Sequence, residues 1–307
     1  MPPILKATDE IYLLSTARAM SAEQRTAFVQ QVAALGFSPI AGRSLSMQQG
    51  VLAGTDADRL ADLQAALDHP TAQAIWCGRG GYGTSRLLDA LDWTAYRRQP
   101  KWVVGFSDTT ALLAAALAAG GYALHGVMGF QAGQPAYAGA WQGVKSLLMG
   151  APMHYHWPAS THCLPGTASG RLVGGNLSLL AHMVGCRQEF DYQDAILFIE
   201  EIDEYLYSLD RMLVQLARSG RLAHIRGVVL GAFTQIQDNA DPFGLSLAEI
   251  LIRAFQGRGI PVAFGFPAGH EPPNLPLVLG AQVQLSQAVG TWQLAEAGAR
   301  QRQLRRG

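Results

Sequence analysis

The sequence predicts an α/β protein: a doubly wound parallel sheet, followed by a second, mixed α+β domain. Three observations predict it. In the first half, short apolar runs alternate with helix-length amphipathic segments, the pattern of strands joined by crossover helices. Two loops, GRGGYGTS (78–85) and GFSDTT (105–110), each follow an apolar run and precede a helical one. In a parallel sheet that places both on the edge where ligands bind, beyond the carboxyl ends of the strands. After about residue 150 the alternation stops, and strand-like and helical segments mix.

Each element has a local reason. EIYLLS reads as the first strand. The helix that follows starts at Ser21, with Gln24 three residues on as a capping box, and stops at Gly36. A second helix starts at Thr55 and closes before Pro70. AIWCG is a strand, then the glycine loop, then TSRLLDAL as a helix. WVVGF is a strand, followed by an Ala/Leu-rich helix and the strand YALHG. The stretch 151–167 carries three prolines and no helical period, and is expected to connect a domain over 1–150 to one over 168–307. The second half offers strand-like runs AILFIEE, RGVVLGAF and LPLVLGAQVQLSQ. Helices are expected near 175–185, 205–218 and 245–257, the second with a buried stripe of Leu206, Leu209, Leu213 and Leu216. The basic tail GARQRQLRRG is expected to fray.

Composition narrows the function classes. Of 307 residues, 49% are hydrophobic, enough for a sizeable core, and Lys+Arg 23 balances Asp+Glu 23. A neutral chain offers no electrostatic reason to bind nucleic acid or an anionic membrane. The apolar region Thr110–Leu124 is interrupted by Gly120-Gly121 and falls short of the about 20 residues a membrane span needs. Cys77, Cys163 and Cys186 are scattered, which fits a reducing compartment better than a disulfide framework. No signal peptide is read at the N-terminus, so a soluble cytoplasmic protein is expected. His154, His156, His162 and Cys163 have a faint look of metal ligands. They lie in the proline-rich connection with no second cluster, so no metal and no cofactor is expected.

The serine on the corner between WVVGF and the Ala-rich helix is the first candidate for chemistry. A serine hydroxyl becomes a nucleophile when a base takes its proton and dipoles stabilise the oxyanion. Ser107 on a strand-turn-helix corner has that setting, and Asp108 supplies the next amide at a helix start. The match to the hydrolase elbow G-x-S-x-G is incomplete, because Thr109 replaces the second glycine. On the local pattern alone, Ser107 or Asp108 simply capping the helix is the stronger reading. The glycine loop could offer amides to an oxyanion or simply make a tight turn; it lacks the phosphate-binding pattern. Glu200, Glu201, Asp203 and Glu204 end a strand and precede a helix, where acids often only complement the dipole. The acid at the strand end is the best candidate to be drawn inward. His270 lies in a Gly/Pro-rich loop ahead of a strand, and His125 ends a strand near the serine edge.

Taken together, RGGYGTSRLLDALD, GFSDTTALL, GGNLSLL, ILFIEEIDEYLYSLDRMLVQL and GHEPPNLPLVLG occur in the order found in the LD-carboxypeptidase family. The chain resembles that family over about residues 8–285. The resemblance implies a flavodoxin-like or amidotransferase-like first domain and a smaller, swivelling β-rich second domain, commonly as a homodimer. It implies a serine peptidase that removes the terminal D-alanine of murein tetrapeptides in peptidoglycan recycling. By motif, Ser107 is the implied nucleophile, Glu200 the acid and His270 the base, with the amides of Gly81 and Asp108 as the oxyanion hole. Arg79, Tyr82 and Arg86 beside the glycine loop are candidates to bind substrate. Two departures stand out: LSTAR follows the first strand where the family shows a proline-serine pair, and Pro272-Pro273 follow His270. Two other readings are an immunity-type hydrolase of peptidyl-nucleotide antibiotics, and a non-enzymatic module whose glycine loop cradles a small anion.

Overall fold

The computed structural model describes residues 2–297; the basic tail expected to fray lies outside the described residues. The chain divides into two compact units. The first runs to Ala151 and also takes in Cys186–Phe190 and Pro272–Leu279. The second comprises Pro152–Gly185, Asp191–Glu271 and the described residues from Gly280.

In the first unit β1 (Glu10–Leu14), α1 (Ala22–Ala34), β2 (Ser38–Ala41), α2 (Asp56–Asp68), β3 (Ala74–Cys77), α3 (Thr94–Arg98), β4 (Trp102–Gly105), α4 (Thr110–Ala118), β5 (Tyr122–His125) and α5 (Ala138–Leu148) follow in order. The five strands pair in parallel in the order β2-β1-β3-β4-β5. That is the flavodoxin-like order, with its crevice at the switch between β1 and β3. β3 and β4 are buried along their whole length, as strands covered on both faces must be. One covering is α4, buried at every position from Thr110 to Ala116. Another is an aromatic cluster in which Trp76 meets Trp141 at 4.8 Å and Phe28 at 6.3 Å between ring centroids.

The capping box expected at the start of α1 forms. Ser21 Oγ accepts from the Gln24 amide at 3.2 Å, and the Ser21 amide donates to Gln24 Oε1 at 3.1 Å. Thr55 and Asp58 do the same for α2. The segment read as a helix after the glycine loop is instead two short 3-10 turns, Thr84–Arg86 and Leu88–Ala90. Gly83, with φ +126°, enters the first of them outside the geometry that would propagate an α-helix.

The second unit contains β6 (His154–Pro158), β7 (Thr167–Asn176), α6 (Leu177–His182), β8 (Ala195–Ile202), α7 (Leu206–Arg218), β9 (Gly227–Thr234), α8 (Leu247–Phe255) and β10 (Val262–Ala263). After β11 (Leu277–Leu279) come β12 (Gln282–Ala288) and β13 (Thr291–Glu296). Its sheet runs β10-β9-β8-β7-β12-β13-β6, parallel from β10 to β7 and antiparallel from β7 to β6. Part of the proline-rich stretch is thus an edge strand, β6. The run LPLVLGAQVQLSQ is two strands in two sheets: β11 pairs antiparallel with β5 of the first, and β12 joins the second. Gly280, with φ +82°, separates them. The buried stripe of α7 is Leu209, Met212, Leu213 and Leu216, with Leu206 only half-buried. No described helix is long and apolar enough to cross a membrane.

Candidate active site

Ser107 sits where β4 turns into the helical segment leading to α4, and its φ is +61°. An L-residue with a β-carbon and a left-handed φ costs about 1–3 kcal/mol. That conformation turns the side chain off the sheet edge, as a nucleophile elbow does. The cap reading does not hold for Ser107: the residues at the cap positions of the two consecutive turns are Phe106 and Thr109. Asp108 lies in the first turn, where amides have no intrahelical acceptor.

The glycine loop lies beside the serine, as two loops at the carboxyl ends of adjacent strands should. A β-carbon placed on Gly80 would stand 3.1 Å from Ser107 Cβ and 3.2 Å from its Oγ. The Gly80 carbonyl accepts from the Arg18 amide at 3.3 Å. Because a trans peptide aims its N–H opposite its C=O, the Gly81 N–H points away from Arg18, and it finds no acceptor among the described residues. Gly81 has φ +113°, and a β-carbon there would overlap the Arg18 side chain at 2.7 Å. Asp108 was singled out for its amide, yet its carboxylate is also employed. It is 2% exposed and accepts from the Thr84 amide at 3.0 Å. Burial raises its pKa, opposed by hydrogen bonds from Thr84 and Gly83 and by the charge of Arg59.

Nearby groups have settled roles. Burial, with the charge of Asp108, pushes the Cys77 thiol up to about 12, so the cysteine ending β3 is held as an inert thiol. His125 is fully buried with its ring edge-on to Phe106 at 5.6 Å, packing behind the serine turn. Arg79 donates to the Ala19 carbonyl at 3.1 Å. Arg86 pairs with Asp56 at 2.5 Å, both half-exposed, and such a pair is worth only about 0–1 kcal/mol. Tyr82 is 58% exposed.

In the second unit the structure brings Glu200 and His270 together: His270 Nδ1 stands 2.7 Å from Glu200 Oε2. Glu200 lies near the carboxyl end of β8 and is fully buried, while the His270 side chain is 12% exposed. The β8–β9 register shifts between Ile199 and Glu201, a bulge of the kind that re-aims a side chain. The loop Ala268–His270 runs along β9 there, with Ala232 N–H donating to the Ala268 carbonyl at 2.8 Å. Gly269, with φ +140°, leaves no β-carbon between Glu200 and Ala232. Desolvation would lower the His270 pKa, but the charge of Glu200 and its hydrogen bond, helped by Glu201, outweigh it and hold the imidazole above its ordinary value. With Nδ1 committed to the carboxylate, Nε2 is the basic nitrogen of the neutral ring.

Glu201 points the other way, as alternation along a strand requires. It is 2% exposed and accepts from Asn176 Nδ2 at 2.6 Å, the Ser178 amide at 2.7 Å and the Ile202 amide at 2.9 Å. Reading it as a mere dipole complement missed this network; the only signal was its adjacency to an apolar strand. Glu201→Gln turns an amide group toward N–H donors. It is expected to cost about 1–3 kcal/mol of stability, read as a lower Tm, with kcat of the folded protein within a few-fold of wild type.

His154 and His156 lie on β6 with their Nε2 atoms 3.1 Å apart. Among the described residues, no group of three or more His, Cys, Asp or Glu is placed to hold a metal ion.

Residues 11–126 match the LD-carboxypeptidase N-terminal domain and residues 169–285 the LD-carboxypeptidase C-terminal domain. A Bacillus subtilis protein named "Probable murein peptide carboxypeptidase" is 35% identical over 272 residues, covering 86% of this chain and 84% of the relative. The chain belongs to the LD-carboxypeptidase family. Among solved structures of this fold, the muramoyltetrapeptide carboxypeptidase of Oxalobacter formigenes superposes with a TM-score of 0.84 at 27% identity, covering 94% of this chain and 98% of that one. The microcin C7 self immunity protein MccF superposes equally well, TM-score 0.84, over 95% of this chain and 97% of that one. At 22% identity that likeness carries the fold alone.

Proposed function

We propose that this family member is a serine-type LD-carboxypeptidase that releases the terminal D-alanine of murein tetrapeptides, a step of peptidoglycan recycling. The observation that carries the reading is the left-handed Ser107 at the strand-to-helix corner beside the glycine loop. In this mechanism Ser107 Oγ attacks the carbonyl carbon preceding the D-alanine and gives its proton to His270 Nε2. The amides of Gly81 and Asp108 stabilise the oxyanion. Collapse of the tetrahedral intermediate breaks the C–N bond, and His270 returns the proton to the departing amine. Water, activated by the same imidazole, then hydrolyses the acyl-enzyme. Glu200 holds the His270 tautomer and stabilises its imidazolium. The murein substrate is supported by what the Bacillus and Oxalobacter proteins are called. The same reading implies a cytoplasmic homodimer.

A peptide panel tests it. The tetrapeptide ending in D-alanine should be cleaved, whereas its L-alanine and C-terminally amidated analogues should be spared. Equal rates on all three would leave an unspecialised hydrolase.

The pH profile follows from His270. The base must be neutral in the free enzyme, so kcat/KM falls as pH drops through its pKa. Because Glu200 raises that pKa, the acid limb is expected above about 6.5, the unperturbed imidazole value. The same raised pKa stabilises the fold fully below about 6.5, and that contribution is lost as pH rises through the folded-state value. A kcat/KM profile that is flat down to pH 5 would remove His270 from the role of base.

A further inference from the structure

We propose that Asp108 and Arg59 are positioning residues, which clamp the far end of the glycine loop and thereby hold the Gly80–Gly81 peptide against Ser107. The proposal rests on the serine-peptidase reading. Arg59 rises from α2 and is 1% exposed. One guanidinium nitrogen, Nη1, donates to the Thr16 carbonyl at 2.5 Å and to the Gly83 carbonyl at 3.1 Å. Thr16 follows β1 and Gly83 closes the loop after β3, so a single side chain ties the two strand ends at the topological switch.

Asp108 holds the same end of the loop from the other side. Its carboxylate accepts from the Thr84 amide at 3.0 Å, so the residue after the nucleophile grips the chain just beyond the loop that carries the oxyanion donor. Thr16 Oγ1 and Thr84 Oγ1, 2.7 Å apart, add a third tie. The loop's near end is also fixed: Gly78 N–H donates to the Leu14 carbonyl at 2.7 Å, and its carbonyl accepts from Phe130 N–H at 2.8 Å. Both ends of the glycine loop are therefore held by buried groups, and between them lies the Gly81 N–H that no described residue accepts.

An oxyanion donor works by being in place before charge develops, and a misplacement of about 1 Å can cost about a hundredfold. The clamp sets where that peptide stands relative to Ser107. Neither Arg59 nor Asp108 needs to touch substrate through its side chain to do this.

The test compares Asp108→Asn and Arg59→Lys with wild type and Ser107→Ala on the D-alanine tetrapeptide. Asparagine keeps the shape of Asp108 but loses its charge; lysine keeps the charge of Arg59 but loses the planar fork. The expected result for each is a fall in kcat of about tenfold to a hundredfold, with KM within about threefold. Affinity for a phosphinate mimic of the tetrahedral intermediate should fall in parallel, while affinity for the tripeptide product stays unchanged. The double variant should lose less than the product of the two single losses, because both act on one loop. If Asp108→Asn does not fold, Arg59→Lys is read by the same criteria. The clamp is overturned if kcat stays within threefold of wild type, or if phosphinate and tripeptide affinities fall equally. An active Ser107→Ala would sink the serine reading itself. An inert Ser107→Ala beside fully active Asp108→Asn and Arg59→Lys would sink only the clamp.

Discussion

Ser107→Ala is expected to yield a folded protein whose D-alanine release has fallen by about 10⁴- to 10⁶-fold, since members of a nucleophile-base-acid unit fail together. That loss corresponds to about 5 to 8 kcal/mol of transition-state stabilisation. Folding should not suffer. Ser107 is the N-cap of neither helical turn; those positions belong to Phe106 and Thr109. The left-handed φ of +61° remains as strained for alanine as for serine, so the melting temperature should move by only a few degrees. Near-wild-type turnover in this variant would reduce Ser107 to a turn residue and end the serine mechanism.

Glu200→Gln should lower kcat by about 10³- to 10⁴-fold. The carboxylate is fully buried and bonds His270 Nδ1 at 2.7 Å. Glutamine can present either its oxygen or its NH₂ to the imidazole. In the second case Nδ1 becomes the acceptor, the proton moves to Nε2, and the base is lost. In either case the imidazolium loses its counter-charge, so the acid limb of the remaining activity should move to lower pH. The contrast with Glu201→Gln is the sharper result: one residue along β8, it should change stability and leave chemistry nearly intact. A large kcat loss at Glu201 with none at Glu200 would mean the catalytic face of β8 is the opposite one.

Much of this was legible locally. The Ser21–Gln24 box, the fully apolar strands WVVG and AIWC, and the placement of two functional loops on one sheet edge are all short-range consequences of sequence. Strand alternation shows only that Glu200 and Glu201 face opposite ways; which of them is the acid came from the resemblance to the family. The features that were not legible depend on distant partners. TSRLLDAL has helical composition, but the left-handed Gly83 and the grip of Asp108 on Thr84 hold it as 3-10 turns. LPLVLGAQVQLSQ has one hydropathy profile and two destinations, because the edge of β5 takes three of its residues. Nothing in the local sequence marks the carboxylate of Asp108 or the side chain of Arg59 as a tie on the glycine loop. Only the folded chain puts a carbonyl from the β1 loop and one from the β3 loop within reach of the same guanidinium.

The most direct measurement is incubation of the protein with free L-Ala-γ-D-Glu-diaminopimelate-D-Ala, in the presence of a chelator, with released D-alanine and tripeptide quantified together. The account predicts the two products in equal amounts, at a rate the chelator does not change. No D-alanine release, or release abolished by the chelator, would contradict it.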